Sequence, residues 1–189
     1  INLPEHSFRI PLDSIKLRGS HNWQNILAAS LAASLSGAMP DQILSAVSSF
    51  TGLEHRLELV DTRDGISFYN DSFSTTPETT IAAINSFTEP LILILGGSEK
   101  QSDFTELGQS IVRASHIKAL IMIGTTAPKI FEAIDKAGGF KGAVYRDAHS
   151  MLQILGQVKE ASRAGDVVLL SPACASFDMF KNYKDRGQQ

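Results

Sequence analysis

One cysteine, Cys174, stands in the whole chain, so neither an internal disulfide nor a cysteine-based zinc site can form. Long hydrophobic runs are missing as well. Stretches such as Leu91 to Leu95 and Val167 to Leu170 fall far short of the ~20 residues that span a bilayer. Neither sign of charge dominates: 17 Lys and Arg stand against 20 Asp and Glu, a net charge of -3, which leaves no basic stripe for a nucleic-acid backbone. The phosphate loop Gly-x-x-x-x-Gly-Lys-Ser/Thr occurs nowhere, and no signal-peptide pattern opens the chain. Nucleic acid and membrane are therefore not expected as partners, and the expected compartment is the cytoplasm.

What is present is an ordinary globular composition. The 189 residues are 43% hydrophobic and 20% charged, with 14 Gly and 7 Pro, which argues against disorder and collagen-like repeats. That length suits one domain, or one domain plus part of another.

The opening segment, Ile1 to Lys16, with Pro4 and Pro11, reads as a short extended piece. From Ser20 the four-residue spacing of Trp23, Leu27 and Leu31 predicts a helix that Gly37 stops. A second helix begins at Pro40, with Ile43, Val47 and Phe50 as its apolar stripe. These two helices have no sheet of their own to cover. After Thr51-Gly52 the period changes. Two β-type runs, Leu57 to Val60 and Ile66 to Tyr69, flank an Asp64-Gly65 hairpin signal. Strands then alternate with helices: helix Pro77 to Ser86, strand Leu91 to Leu95, helix Asp103 to Ala114, strand Ile117 to Ile123, helix Ala127 to Ala137, strand Ala143 to Tyr145, helix Ser150 to Ala161, strand Val167 to Leu170 and helix Phe177 to Lys184. Such alternation predicts an α/β fold, a Rossmann-like, mostly parallel sheet with helices on both faces. The expected division lies between residues 1–51 and 52–189.

In an open parallel sheet, ligands bind outside the carboxyl ends of the strands. Three polar loops follow strands directly: Asn70 to Thr76, Gly96 to Lys100, and Ser171 to Ser176. Together they offer hydroxyls, a carboxylate, an ammonium and backbone N–H groups, a set that suits a small anion. Each has a plainer reading. Asp71 and Thr75-Thr76 serve equally as helix caps, Gly96-Gly97 as a tight turn, Lys100 as a solvated lysine and Cys174 as a small buried filler. Upstream, Asn22 and Asn25 share one helix face, and Arg56 is either a surface ion pair or an anion clamp. His6, His116 and His149 have no neighbours at metal-ligand spacing, so no metal site is expected.

One ordered set of segments carries a resemblance. Gly19-Ser20-His21-Asn22-Trp23-Gln24-Asn25, Phe50-Thr51-Gly52-Leu53-Glu54-His55-Arg56, Asn70-Asp71-Ser72 with Thr75, Gly96-Gly97 with Lys100, and Ser171-Pro172-Ala173-Cys174-Ala175-Ser176-Phe177-Asp178 with Phe180, Lys181, Asn182 and Arg186-Gly187 resemble the Mur ligase family, and within it the glutamate-adding branch. The resemblance implies an ATP-dependent ligase that forms an acyl phosphate on UDP-N-acetylmuramoyl-L-alanine and couples it to glutamate in peptidoglycan precursor synthesis, acting as a monomer. It implies that residues 1–51 are the end of a central ATP-binding domain and 52–189 a C-terminal Rossmann-like domain, so that the chain is a fragment, inactive alone, without catalytic residues. Magnesium would accompany ATP, with its ligands mainly outside these residues. By resemblance, Asn22 and Asn25 contact the adenine region and Arg56 and Asp71 the ATP phosphates and ribose. Thr75, Lys100, Ser176, Phe177 and Tyr183 border the glutamate. In that branch a lysine usually follows the aspartate by two residues; here Phe73 stands there, before Ser74-Thr75-Thr76-Pro77, a loop similar to a subgroup that includes users of L-glutamate. The enantiomer stays open. The alternative from a different class is a stand-alone α/β nucleotide- or anion-binding module.

Overall fold

A computed structural model describes residues 7–189; Pro4 and His6 lie outside them. The chain divides into two compact units between Gly52 and Leu53.

In the first unit a 3-10 turn, Leu12–Ser14, is followed by helices α1 (Ser20–Leu35) and α2 (Pro40–Ser49). The expected extended opening is thus interrupted, because the Ser14 N–H and hydroxyl both donate to the Pro11 carbonyl, at 3.1 and 2.7 Å. Helix α1 stops at Gly37, whose φ of 92° is a left-handed exit open to glycine. Its predicted stripe faces outward: Trp23, Leu27 and Leu31 are 42, 50 and 41% exposed. In α2 the Gln42 side chain turns back to accept the Met39 N–H at 2.9 Å.

The second unit begins with a hairpin, β1 (Glu58–Arg63) and β2 (Ile66–Asn70). Asp64 and Gly65 turn it with φ of 53° and 76°, the left-handed pair that matches strand twist. The chain continues through α3 (Pro77–Ile84), β3 (Leu91–Gly96), α4 (Thr105–Arg113), β4 (Ile117–Ile123), α5 (Ala127–Lys136), β5 (Ala143–Ala148), α6 (Met151–Ala161), β6 (Val167–Leu170) and α7 (Tyr183–Gln188). The strands form one sheet in the order β1-β2-β6-β3-β4-β5. Only β1 runs antiparallel to its neighbour.

Alternation along β3 separates two cores. Leu91, Leu93 and Leu95 pack with Ile84, Leu107, Ile111, Ile130 and Ile134 of α3, α4 and α5. Ile92 and Ile94 point the other way, toward Ile154 and Val158 of α6. Burial on both faces explains why these strands read as unbroken apolar runs. Each such side chain contributes roughly 1.5–3 kcal/mol by leaving water.

The last helix is a correction. The predicted helix over Phe177 to Lys184 is instead a turn, with the Phe180 N–H donating to the Ser176 carbonyl at 2.8 Å, followed by extended backbone at Asn182. Asn182 Oδ1 accepts the N–H groups of Lys184 and Asp185 at 2.9 and 3.0 Å, so this side chain starts the helix afresh at Tyr183 rather than sitting inside one. The same competition delays α4: Asp103 Oδ1 accepts from the Thr105 N–H at 2.8 Å.

Candidate functional site

Because β2, β6 and β3 are adjacent and parallel, the three polar loops that follow them leave one edge of the sheet together. They are bonded to one another. Ser171 Oγ donates to Asp71 Oδ2 at 2.7 Å, and the Gly96 N–H donates to the Pro172 carbonyl and the Ser98 N–H to the Ala175 carbonyl, each at 2.8 Å. Gly97 permits this approach, and Gly96 the close packing on β4. A Cβ on Gly96 would meet the Ile123 carbonyl oxygen at 2.0 Å, and one on Gly97 the Ala175 oxygen at 2.1 Å.

Between the loops lies a cavity of about 230 Å³ lined by Phe73, Thr75, Lys100, Ala175, Ser176, Phe177, Asn182 and Tyr183. The residues nominated for the amino-acid substrate, Thr75, Lys100, Ser176, Phe177 and Tyr183, thus share one cavity. Lys100 is the only charged residue of that lining, and it forms no ion pair among the described residues. Ser176 is buried, whereas Phe177 is 69% exposed. Phe73 meets Tyr183 edge to face, with ring centroids 5.2 Å apart and planes at 84°, so one wall of the cavity is aromatic.

Arg56 sits beside this wall. Its guanidinium lies 5.9 Å from the Phe73 ring centroid, and it projects from a strained turn whose flanking residues, His55 and Leu57, have φ of 63° and 45°. The turn is held by the Phe73 N–H donating to the His55 carbonyl at 3.0 Å. Asp71 is placed differently from a ligand-contacting carboxylate. It is only 2% exposed and accepts from the Leu57 N–H at 3.1 Å and from Ser171, joining the Arg56 turn to β6. Thr76, the residue before α3, makes no side-chain cap. In the first unit, Asn25 Nδ2 donates to Asn22 Oδ1 at 3.2 Å and Asn22 Nδ2 to the Arg18 carbonyl at 2.7 Å.

Burial pushes the Asp71 carboxyl above its ordinary value despite the hydrogen bonds it accepts from Ser74, Ser171 and Leu57. A raised folded-state pKa means that ionising Asp71 opposes folding; its favourable contribution is complete below the ordinary carboxylate pKa and lost as pH rises through the folded value. Asp71→Asn is therefore expected to be no less stable than the parent at pH 7. The gap should close as pH falls to about 4 and below, where the parent is protonated too. Thermal unfolding of both proteins across that range checks this, and a variant losing stability most at pH 7 would refute it.

Burial also lifts the Cys174 thiol to about 11. Its sulfur lies 3.1 Å from Thr126 Oγ1, so the residue is a buried filler and not a thiolate nucleophile.

Residues 55–174 match the family model described as Mur ligase, glutamate ligase domain. The chain belongs to the Mur ligase family. It is 44% identical to the UDP-N-acetylmuramoylalanine--D-glutamate ligase of Symbiobacterium thermophilum over 94% of this chain and 38% of that protein. The same-named protein of Hahella chejuensis is 42% identical over 95% of this chain and 40% of its own length. The chain thus spans about two-fifths of these relatives. Among solved structures, the UDP-N-acetylmuramate-alanine ligase MurC of Thermotoga maritima aligns over 84% of this chain and 36% of its own, with a TM-score of 0.63 at 16% identity. MurF of Acinetobacter baumannii aligns over 84% and 35%, with a TM-score of 0.64 at 17% identity. At that identity the likeness is one of fold.

Several residues beside this cavity carried no recognisable signal of their own. His55 is buried, its Nδ1 2.9 Å from Asn70 Nδ2, and Asn70 Nδ2 also donates to the Gly187 carbonyl at 3.0 Å. Ser72 and Arg186 meet in the interior. The available hint was their occurrence inside the ordered motifs; no spacing rule gives them a task.

Proposed function

We propose that the protein to which this chain belongs is a cytoplasmic ATP-dependent ligase that joins glutamate to UDP-N-acetylmuramoyl-L-alanine. The reading is carried by one observation, the convergence of Thr75, Lys100, Ser176, Phe177 and Tyr183 on a single cavity whose lone charge is a free ammonium. A dicarboxylate requires a cation and hydroxyl donors. Each hydrogen bond to a charged group contributes roughly 1.5–3 kcal/mol.

In this reading ATP transfers its terminal phosphoryl group to the alanine carboxylate. The glutamate amine then attacks the acyl phosphate carbonyl, phosphate leaves with the bonding pair, and the nitrogen loses a proton. Lys100 holds a glutamate carboxylate, Thr75 and Ser176 supply hydroxyls, and Tyr183 with Phe73 excludes water. Arg56 reaches the nucleotide phosphates. Asp71 serves that side by fixing the turn that carries Arg56, and Asn22 and Asn25 meet the adenine region. Magnesium would neutralise phosphate charge. Among the described residues no group of three or more His, Cys, Asp or Glu side chains could hold a metal ion, so no step here is routed through it. The exposed Trp23, Leu27 and Leu31 stripe supports residues 1–51 as the end of a central ATP-binding domain, with 52–189 as the glutamate-ligase domain.

The test is phosphate release by the full-length protein with ATP, magnesium and the nucleotide substrate. Release that starts only on adding glutamate is expected; release indifferent to glutamate overturns the reading. D-glutamate stands in the relatives' names and is the enantiomer proposed. Phe73 favours a second reading, because a ring cannot donate to a carboxylate, and relocating a cation anchor can reverse which enantiomer fits. Assayed with each enantiomer, the protein is expected to favour D-glutamate at least about tenfold. The opposite preference would assign the Phe73 loop to L-glutamate use.

A further inference from the structure

The deepest charged side chain near the cavity belongs to no ion pair. Arg186 is 1% exposed, and among the described residues no carboxylate is bonded to it. Its guanidinium is spent on the loops. Nε donates to Ser72 Oγ at 2.9 Å and Nη2 to the Ser72 carbonyl at 2.9 Å. Nη1 reaches the Cys174 and Ala175 carbonyls at 3.1 and 3.3 Å, and Nη2 also reaches that of Cys174 at 3.2 Å. Burial lowers its pKa to about 10, which leaves it charged at neutral pH.

A buried cation without a counter-ion is costly, and apolar residues of similar volume commonly serve stability as well or better. What the guanidinium offers instead is geometry. It presents five donors in a rigid plane, and here that plane spans two loops that otherwise leave separate strands. We propose that Arg186 is a positioning residue for the amino-acid substrate: without touching it, the guanidinium sets the spacing of the cavity walls. The inference rests on the glutamate reading above.

The connections run to every wall of the cavity. Ser72 precedes Phe73 and Thr75 in one loop, and its Oγ, while accepting from Arg186, donates to the Tyr183 carbonyl at 2.7 Å. Ala175 precedes Ser176 and Phe177. Its carbonyl also accepts the Ser98 N–H at 2.8 Å, which ties in the loop bearing Lys100. Residues 73 and 75 follow Ser72, 176 and 177 follow Ala175, 183 is bonded to Ser72, and 100 lies one hydrogen bond further, beyond Ser98. The adjacent Gly187 leaves no room for a side chain, since a Cβ there would lie 2.4 Å from His55 Nδ1. This close fit fixes where α7, and so Arg186, enters the site.

The test uses the full-length ligase with Arg186→Lys and Arg186→Met, measured for melting temperature and for KM of each substrate. The unmodified enzyme's glutamate-dependent turnover tests the ligase reading separately. Folded variants should show glutamate KM raised at least tenfold, with KM for ATP and for the nucleotide substrate within about threefold. Lysine, which keeps the charge and part of the donor set, should recover a share of what methionine loses. An unchanged glutamate KM, or equal losses for all three substrates, overturns the proposal. Should both arginine variants fail to fold, Ser72→Ala decides it, because it removes one acceptor of Arg186 and the link to Tyr183 while leaving the charge solvated by carbonyls. A glutamate-selective rise in KM supports the positioning role; a uniform change or none refutes it.

Discussion

If the proposed function holds, Lys100→Ala in the full-length protein is expected to lower kcat/KM for glutamate by about 30- to 1000-fold, roughly 2–4 kcal/mol. The reason is the composition of the cavity. Its lining residues are aromatic, hydroxyl or amide except for this one ammonium, so a glutamate carboxylate that enters finds no second cation among them. Truncating Lys100 would leave that carboxylate desolvated and unpaired, the costly half of a broken ion pair. The side chain is exposed and makes no salt bridge among the described residues, so stability should barely move, within about 0.5 kcal/mol. Steady-state kinetics at varied glutamate, read beside thermal unfolding, separates the outcomes. A glutamate kcat/KM equal to the parent's would remove Lys100 from the site.

The 189-residue chain on its own is expected to show no glutamate-dependent phosphate release, a complete loss of turnover. Phosphoryl transfer depends on cradling the nucleotide phosphates and their metal in line with the acceptor, and no phosphate loop occurs in these residues. The contacts proposed for the nucleotide, Arg56 at the phosphates and Asn22 and Asn25 at the base, amount to one charge and two amides. They cannot align a transfer. Release from the purified chain with ATP, magnesium, nucleotide substrate and glutamate should match the blank. Turnover that co-purifies with the chain to homogeneity would show that these residues hold a phosphoryl-transfer site of their own.

Much of the site was legible because its residues lie where the sheet sends its loops. Three apolar runs each ending in a polar loop placed Asn70 to Thr76, Gly96 to Lys100 and Ser171 to Ser176 at carboxyl ends of strands. Adjacency of β2, β6 and β3 did the rest. Thr75, Lys100, Ser176 and Phe177 were named by resemblance to the family's motifs, because a hydroxyl, an ammonium or an aromatic in such a loop reads equally as a cap, a solvated side chain or a surface ring. Asp71 was harder. A carboxylate after a strand reads equally as cap or ligand, and it is in fact buried between the Leu57 N–H and the Ser171 hydroxyl, a pairing across 100 positions that periodicity does not register. The α7 boundary failed for a local reason: Asn182 captures two N–H groups that a continuous helix would have used.

By itself, then, the sequence determined the α/β class, the hairpin at Asp64-Gly65, the alternation that buries β3 on both sides and the polar loops that follow its strands. Those depend on period, turn residues and hydrophobicity, which act over a few neighbours. Tertiary structure alone decided that Asp71 faces inward, that Cys174 is inert, that Phe73 meets Tyr183 edge to face and lies under Arg56, and that Arg186 binds two loops rather than solvent. Each of those outcomes turns on which carbonyls and hydroxyls meet a buried group across long chain separations. A hydrogen bond or a desolvation cost exists only once both partners are placed.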